Sequence, residues 1–387
     1  MAMMIGVIEL SDQKLFDRKE LTMNLVGIDR LKPGMRLAST IRDHNGSVLL
    51  RAGVELNEKY IDYLSKLQVM IVAVCDDGTS YSLPVVEDVI DVETRKAAVN
   101  QVRSILIDAK ESGRLVIKPQ SLYGTVGELT KQLLGNKNLI FNLVDLRTQD
   151  DYTFAHSVNV CVLALMTGIT LGYTQDELSE LGVGALLHDL GKMKIPDEIL
   201  NKPGPLTKEE FFIMQTHVTH GYKLIMEAGN LEEIFALMAI QHHENYDGSG
   251  YPFGLKDVQI REYSQVIAIS DRFDAITANR VYRKSFPPIE AFAMCQAASD
   301  YYVKDKVAKA FIYNIAAYPA NTVVELNNGM IGISAETPRG NSLYPMVKVY
   351  YNENKEPLLT PFDLPLYDSD GIFVVRVLDN LFRHTIE

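Results

Sequence analysis

The stretch HHENYDGSGYP, residues 242–252, joins two adjacent histidines to a glycine-rich turn that ends in proline. Gly248, Ser249 and Gly250 permit a tight loop, and Pro252 stiffens the exit from it. The letters Asp-Gly-Ser-Gly alone would indicate an ordinary turn. That interpretation does not account for the histidine pair at its start, so the stretch predicts a functional loop that follows a helix.

Histidines are concentrated before and within this stretch. Six of the eight lie within residues 156–243, where even spacing would place about two. A single histidine on an apolar helix is usually a core residue, but six in one helical block beside acidic residues favour a metal site. The six are His156, His188, His217, His220, His242 and His243.

The segment from Leu139 to about Tyr318 has an almost wholly helical pattern. Thr174, Thr207 and Asn230 each lie three residues before a glutamate, the spacing of a helix start, and the two threonines predict full capping boxes. The predicted helices that carry candidate ligands are a long uncharged one opened by His156, followed by Glu177–Leu190, Lys208–Ala228, Leu231–Gln241 and Ser264–Ala278.

These five predicted helices each offer one or two nitrogen or oxygen ligands, as in the di-metal sites of helical bundles. Imidazoles mixed with carboxylates, without a thiolate, suit iron, manganese or zinc. Two such ions ~3.5–4 Å apart would stabilise an in-line displacement at phosphorus. The alternative is that these groups only cap helices or bond across a core, but a buried Asp271 without a cation would be costly.

The remaining chain separates into a short α+β part, a helical linker and a strand-rich end. Asn45-Gly46 between two short apolar runs predicts a hairpin, and the pattern after it predicts a helix at Asn57–Leu67 and a strand at Val69–Val74. The linker is predicted to hold the helices Asp91–Ala109 and Ser121–Leu134, and the end is predicted to hold the strands Thr322–Leu326, Met330–Ser334, Val347–Tyr351 and Ile372–Val377. The predicted division is a tail at 1–23, a small α+β regulatory or contact module at 24–90, a helical linker at 91–138, a catalytic helical domain at 139–318 and a β-rich extension at 319–387.

Charge and cysteine content narrow the class of protein. The net charge of −12 argues against a protein that coats a nucleic-acid polymer, which needs a basic face, but it leaves room for a small phosphate ligand. Three cysteines at wide spacing are not a disulfide framework and indicate a reducing compartment. Met1–Leu10 is a poor signal peptide, and the uncharged stretch Ser157–Gln175 is better interpreted as a buried helix than as a membrane span. A cytoplasmic protein without membrane insertion is therefore predicted.

The two motifs together resemble those of the HD-GYP family of bacterial cyclic-di-GMP phosphodiesterases, a branch of the HD metal-dependent phosphohydrolases. The resemblance rests on His188-Asp189 followed by Lys192, and on the complete motif at 242–252. It extends from about Asp151 to Arg283 and includes DYTFAHS at 151–157 and SDRFDAITANRVYR at 270–283. It implies a mainly α fold: an all-helical HD-type metal-binding bundle, with a small α+β module before it and a short β-rich segment after it.

The resemblance also implies a site with two divalent ions, Fe or Mn first and Zn or others as alternatives. Asp189 would bridge the ions and Lys192 would contact the scissile phosphate, so these two are the predicted catalytic residues. Tyr152 stands where some members have a glutamate that allows a third metal, which favours two ions here, and His220 matches no ligand position. The implied ligands are His156, His188, Asp189, His217, His242, His243 and Asp271. The implied substrate contacts are Lys192, Asp247, Gly250, Tyr251, Pro252, Arg280 and Arg283.

The implied reaction is the hydrolysis of cyclic-di-GMP to linear pGpG through a metal-bridging hydroxide, with a further cleavage to GMP left open. One alternative is a phosphodiesterase for 3′,3′-cyclic GMP-AMP. A hydrolase for (p)ppGpp or dNTPs is disfavoured by the complete GYP motif, and a catalytically weak receptor is disfavoured because all seven ligand positions are filled. A helical scaffold with incidental histidines is the plainest alternative. The GYP loop is also a candidate protein-binding surface, and a homodimer through the helices of 91–134 is a further hypothesis.

Overall fold

The computed structural model describes residues 23–37, 41–42, 48–50, 54–66, 71–75, 89–136, 140, 152–277, 287–320 and 322–378. By the density of contacts the chain divides into two compact units, Met1–Leu83 and Pro84–Glu387. Each has its own hydrophobic core.

The first unit is a small α+β module. Its core is formed by residues such as Leu37, Leu56 and Leu64, which are almost completely buried. The strand order of its antiparallel sheet is β1-β5-β2, and β3 pairs with β4 as predicted for the hairpin arms, although the Asn45-Gly46 turn lies outside the described residues. The elements are β1 (Met23–Gly27), β2 (Arg36–Leu37), β3 (Ile41–Arg42), β4 (Val48–Leu50), α1 (Glu58–Lys66) and β5 (Ile71–Cys75).

The second unit is a helical domain that continues into a β-sheet. The mainly α fold class is confirmed, and the two linker helices lie within about three residues of their predicted bounds. The helices are α2 (Val92–Ser112), α3 (Pro119–Gly135), α4 (Tyr152–Leu171), α5 (Gln175–Leu187), α6 (Asp197–Leu200), α7 (Lys208–Gln215), α8 (His217–Ala228), α9 (Glu233–Gln241), α10 (Glu262–Thr277), α11 (Pro288–Ala297) and α12 (Asp305–Ile312). A 3₁₀ helix, Leu190–Lys194, lies between α5 and α6.

Helix α4 is the centre of this domain, and α2, α5, α10 and α12 pack around it. Within the described residues, its segment Phe154–Leu171 is the one helical stretch long and apolar enough to cross a membrane, and 72% of that segment is buried inside the protein. A core helix surrounded by other helices has the same composition, because both environments exclude charge. The predicted buried helix is therefore found, beginning at Tyr152 and ending at Leu171.

Local hydrogen bonding modifies three of the predicted helices. The capping boxes at Thr174 and Thr207 are both present. The predicted helix 208–228 is instead two helices, because the Thr216 hydroxyl donates to the Ile213 carbonyl and the chain turns there, so that His217 begins α8 and does not lie inside a helix. The predicted cap at Asn230 is wrong: its amide donates to the distant Ile117 carbonyl. Helix α9 accordingly begins two residues later than predicted, and α5 ends three residues earlier, before the HD pair.

The chain ends in a five-stranded antiparallel sheet of order β10-β6-β7-β8-β9. Its buried residues Val324 and Val349 belong to the same core as the helices. The sequence prediction missed β9, which contains prolines at 357, 361 and 365; proline cannot donate to a ladder, and β9 is an edge strand, where it is tolerated. The strands are β6 (Val323–Leu326), β7 (Ile331–Ser334), β8 (Met346–Tyr351), β9 (Pro357–Pro365) and β10 (Val374–Leu378).

Candidate metal centre

One buried carboxylate is surrounded by imidazoles where α4, α5, α8 and α9 meet. Asp189, 1% exposed, lies between the end of α5 and the 3₁₀ helix. Its Oδ1 is 3.5 Å from His217 Nε2 and 3.8 Å from His242 Nε2. Its Oδ2 is 3.3 Å from His188 Nε2 and 3.6 Å from His156 Nε2. Four helices thus direct one nitrogen each towards the same carboxylate.

Backbone carbonyls determine which nitrogen of these rings is available. A carbonyl can only accept, so each Nδ1 that contacts one carries the proton and each Nε2 keeps its lone pair. Every carbonyl comes from three residues earlier in the chain, which ties the ring orientation to the end or beginning of a helix. The pairs are His188 Nδ1 with Ala185 O at 2.7 Å, His217 Nδ1 with Met214 O at 2.7 Å, and His242 Nδ1 with Ala239 O at 2.9 Å.

His156 on α4 is oriented by side chains. Its Nδ1 is 2.6 Å from Asp274 Oδ2, and its Nε2 is 3.0 Å from Asp271 Oδ1. The Asn159 amide donates to Asp274 Oδ1 at 3.0 Å, and Arg95 of α2 donates to Asn159 Oδ1 at 2.8 Å. Sequence reasoning missed the fully buried Asp274, although its position one turn after Asp271 on α10 was the signal that could have found it.

Buried polar atoms of this site lack hydrogen-bond partners, and bound metal ions would satisfy them. Among the described residues, His188 Nε2 and Asp189 Oδ1 are buried and lack a hydrogen-bond partner, which is costly without a cation. His217 Nε2 faces His242 Nε2 at 3.4 Å, and two lone pairs at that distance need a cation or a proton between them. Three groups of donor atoms within 4.8 Å of one another could hold an ion: His217, His242 and His243; His156, His188 and Asp271; and His188, Asp189 and His242.

Burial keeps several of these imidazoles in the neutral, metal-binding form at pH 7. Burial lowers the pKa of His217 to about 4 and that of His243 to about 3, and it holds the pKa of His242 well below its ordinary value. Burial would also raise the pKa of Asp189, but Lys192 and then His188 outweigh it and hold that pKa well below the ordinary value. Neutral imidazoles and an ionised carboxylate are the protonation states that bind metal.

His156 differs from the other ligand candidates in its protonation. Burial would lower its pKa, but the hydrogen bonds to Asp271 and Asp274, with the charges of both carboxylates, outweigh burial and raise that pKa to about 10. In the absence of a metal, a proton on this ring neutralises the acidic residues of α10. A divalent ion near Asp271 would take over that role.

Lys192 lies beside the buried Asp189 carboxylate. Its Nζ lies 2.5 Å from Asp189 Oδ2, and its side chain is 23% exposed. The Asp189 carboxylate, predicted to bridge the ions, thus faces His217 and His242 with Oδ1 and contacts the Lys192 ammonium group with Oδ2.

The GYP loop closes one wall of the site through its backbone. The Tyr251 ring stacks on His243 at a centroid distance of 4.8 Å, and its backbone N–H donates to the His243 carbonyl at 3.1 Å. Glu244, 1% exposed and missed by the sequence prediction, accepts the backbone N–H groups of Phe253 at 2.7 Å and Leu255 at 2.9 Å. A buried carboxylate therefore clamps the far end of the loop to the histidine pair.

The other predicted substrate contacts are Asp247, Gly250, Pro252, Arg280 and Arg283. The Asp247 carboxylate accepts from the backbone N–H and the hydroxyl of Ser249, at 2.9 and 2.6 Å, so it stabilises the loop turn. Gly250 lies where a Cβ would meet His243 O at 2.5 Å, which explains the need for glycine. Pro252 follows Tyr251 through a cis peptide bond. Arg280 and Arg283 lie outside the described residues.

Two further sequence predictions concern the limits of the ligand set. His220 is half-buried one turn after His217 and is absent from the three candidate groups found among the described residues. Tyr152 begins α4, one turn before His156. The expectation of two ions, based on Tyr152, stays a prediction.

Comparison with known proteins identifies relatives for this region. Residues 136–305 match the family model described as HD domain. A cyclic di-GMP phosphodiesterase of Pseudomonas aeruginosa is 35% identical over 234 residues, covering 60% of this chain and 56% of the relative. A cyclic di-GMP phosphodiesterase of Thermotoga maritima is 37% identical over 165 residues, covering 42% and 45%. The 3′3′-cGAMP-specific phosphodiesterase 1 of Vibrio cholerae is 38% identical over 156 residues, covering 40% and 35%. The chain thus spans about half the length, or less, of these relatives.

Proposed function

Because the central domain of this chain belongs to the HD family, in its HD-GYP branch, we propose that the protein is a metal-dependent phosphodiesterase that hydrolyses cyclic dinucleotides. The observation that carries the proposal is Asp189, a buried carboxylate with the Nε2 atoms of four histidines around it. The names of the relatives support cyclic dinucleotides as the substrate class, with cyclic-di-GMP first.

The proposed cofactor is a pair of divalent ions, Fe or Mn first and Zn as an alternative. His156, His188, Asp189, His217, His242, His243 and Asp271 would hold them. When bound, such ions stabilise negative charge on phosphoryl oxygens and lower the pKa of water to near neutrality. Imidazole and carboxylate donors without thiolate are the ligand types that iron, manganese and zinc share.

In the proposed reaction, water adds to phosphorus and the bond from phosphorus to the 3′ oxygen breaks. The hydroxyl of water stays on phosphorus, its proton goes to the leaving 3′ oxygen, and cyclic-di-GMP opens to linear pGpG. Lys192 is proposed to bind a non-bridging phosphate oxygen, because its partly exposed ammonium group lies beside Asp189. The Tyr251 ring is proposed to shield the face of the His243 imidazole on which it stacks.

A cyclic GMP-AMP phosphodiesterase is the second candidate, favoured by the name of the Vibrio cholerae relative. It uses the same centre, so the two candidates differ only in the contacts made to the bases. A catalytically weak receptor for cyclic dinucleotides would keep the binding surface without turnover.

The GYP loop also remains a proposed protein-binding surface. Phe253 at its end is 63% exposed, and Phe212 on the neighbouring α7 is 69% exposed. Exposed aromatic side chains of this kind are typical of protein contacts. A homodimer and a cytoplasmic location stay predictions from the sequence.

The test uses protein purified without oxygen, with bound metal quantified by elemental analysis. The same sample is incubated with cyclic-di-GMP and with cyclic GMP-AMP, and products are resolved over time by chromatography. About two metals per chain with linear product are expected from the di-metal site. Bound metal and bound dinucleotide without product would favour the receptor, and a metal-free protein from iron- and manganese-replete cells would refute the proposal.

Two variants separate chemistry from folding. Asp189→Asn keeps the size of the side chain but removes the charge that the surrounding imidazoles and Lys192 face, so metal content and turnover should both fall while the helical circular dichroism is kept. Asp197→Asn is the matched control, because its carboxylate is 58% exposed and pairs with Lys110 at the surface. If the protein were a helical scaffold without an active site, the wild type and both variants would all be inactive.

A further inference from the structure

A cavity of about 200 Å³ opens directly beside the metal centre. Three candidate ligands, His242, His243 and Asp271, are among the residues that line it. The rest of the lining comes from Asn245, other residues of α10, the end of α11 and the turn that precedes α12. Most of the side chains around it are apolar: Ala268, Ile269, Ala275, Ile276, Cys295, Ala298 and Val303.

Among the residues that the structure describes, one cationic side chain lines this cavity. Arg272 follows Asp271 on α10, and its guanidinium carbon lies 3.4 Å from the centre of the Tyr302 ring. Within the described part of the chain, Arg272 makes no hydrogen bond or ion pair. Stacking on an aromatic face fixes the plane of a guanidinium group and leaves the N–H groups at its edge available.

Tyr302 is itself held in place by the GYP loop. Its backbone carbonyl accepts from the Tyr246 N–H at 3.0 Å, and the neighbouring Tyr301 carbonyl accepts from the Asp247 N–H at 3.1 Å. The aromatic support of Arg272 is therefore connected through two backbone hydrogen bonds to the loop that begins at the histidine pair. The Arg272–Tyr302 stack and the histidine pair are thus linked through the same loop.

The chemistry of the walls distinguishes a base from a phosphate. A phosphate group needs several donors, whereas this lining offers one guanidinium group, the Asn245 amide and the candidate ligands among mostly apolar side chains. A nucleobase has two apolar faces and a polar edge, which matches apolar walls with a few placed polar groups. The phosphates of the same substrate already have partners in the metal centre and Lys192.

Resting on the proposed function, we propose that this cavity binds one guanine base of a cyclic dinucleotide and that Arg272 selects guanine over adenine. Guanine presents two acceptors, O6 and N7, to a bidentate guanidinium fork, whereas adenine presents the acceptor N7 beside the N6 amino donor. Adenine would therefore leave one arginine N–H facing another donor. Because one cavity reads one base, cyclic GMP-AMP can still bind through its guanine.

The experiment compares kcat/KM for cyclic-di-GMP, 3′,3′-cyclic GMP-AMP and cyclic-di-AMP on metal-loaded full-length protein. The wild type should prefer both guanine-containing substrates over cyclic-di-AMP by about tenfold or more, the scale of one bidentate base contact. Arg272→Met keeps a long side chain without donors and should remove most of that preference, mainly through KM. Arg272→Lys should retain part of it, because lysine keeps the charge without the fork.

The control is Arg261→Met, a change of the exposed arginine that directly precedes α10. It should leave the ranking of the three substrates unchanged. Metal content and thermal melting are measured for every variant, because Arg272 adjoins the candidate ligand Asp271. A loss of metal in Arg272→Met would be corrected by comparing substrates at equal occupancy, since the preference is a ratio within one protein.

An unchanged guanine preference in Arg272→Met, or equal use of all three substrates by the wild type, would overturn this inference while the proposed function stands. If the wild type hydrolyses none of the three, the proposed function fails instead. The same ranking is then read from equilibrium dissociation constants of the uncleaved dinucleotides. In that case a tenfold loss of the guanine preference in Arg272→Met still supports the cavity assignment, and no loss overturns it.

Discussion

Gly191 allows the HD pair to pack against α8, and its replacement by alanine should separate the two. A Cβ at this position would lie 1.8 Å from His217 O and 2.4 Å from Gly221 N, both atoms of the backbone of α8. Contacts between nonbonded heavy atoms are comfortable at ~3.5 Å, so the 3₁₀ helix and α8 must move apart by about 1.5 Å. Neither obstacle is a flexible side chain that could rotate away.

That displacement is large on the scale of a metal site. It moves Asp189 and His217 relative to one another, and ligand distances tolerate only ~0.2 Å. Overpacking of this kind costs about 3 kcal/mol, at the upper end of the usual range, because backbone meets backbone. We expect Gly191→Ala to melt several degrees below the wild type, to bind less than half the wild-type metal and to have little phosphodiesterase activity.

The matched control is Gly127→Ala in α3, where the new Cβ would have no atom within 4 Å beyond the adjacent backbone of its own helix. Alanine in a helix interior stabilises by roughly 0.5–1 kcal/mol relative to glycine, so this variant should melt at or slightly above the wild type. The assays are thermal melting by circular dichroism and elemental analysis after dialysis against metal-containing buffer. A Gly191→Ala protein that melts within a degree of the wild type with full metal content would refute the packing argument.

Three further changes test the site. Asp274→Ala removes the acceptor that orients His156 and should weaken metal binding by about 10–100-fold, with activity restored at high metal concentration; metal titration checks this. Gly250→Ala places a Cβ 2.5 Å from His243 O and should lower kcat/KM by at least about tenfold with an unchanged helical spectrum; an active variant would contradict the required close approach. In metal-free protein, burial lowers the pKa of His217 from 6.5 to about 4. Between these pH values the imidazole is protonated in the unfolded chain but neutral in the folded protein. The free energy of unfolding should therefore fall as the pH drops from 6.5 towards 4. Urea titrations at several pH values measure that slope, and a flat profile would contradict it.

The short-range features of the fold could be predicted from the sequence. The capping boxes at Thr174 and Thr207 depend on residues three positions apart, and both are present. Features that depend on competition with distant groups were missed. Asn230 has the right residue type for a cap, but a carbonyl of another segment takes its amide, and β9 contains prolines that only its edge position allows.

The sequence by itself determined which residues could form the centre, because the HD pair and the complete 242–252 motif each specify ligand types at short spacing. Only the tertiary structure decided how they meet. The Nε2 atoms face Asp189 because helix ends place carbonyls against each Nδ1, and His156 takes its orientation from Asp274 on a helix far away in sequence. The Arg272–Tyr302 pair beside the centre likewise joins two segments that no local sequence pattern connects. Hydrogen bonds and stacking across a core depend on distance in space and not on separation along the chain.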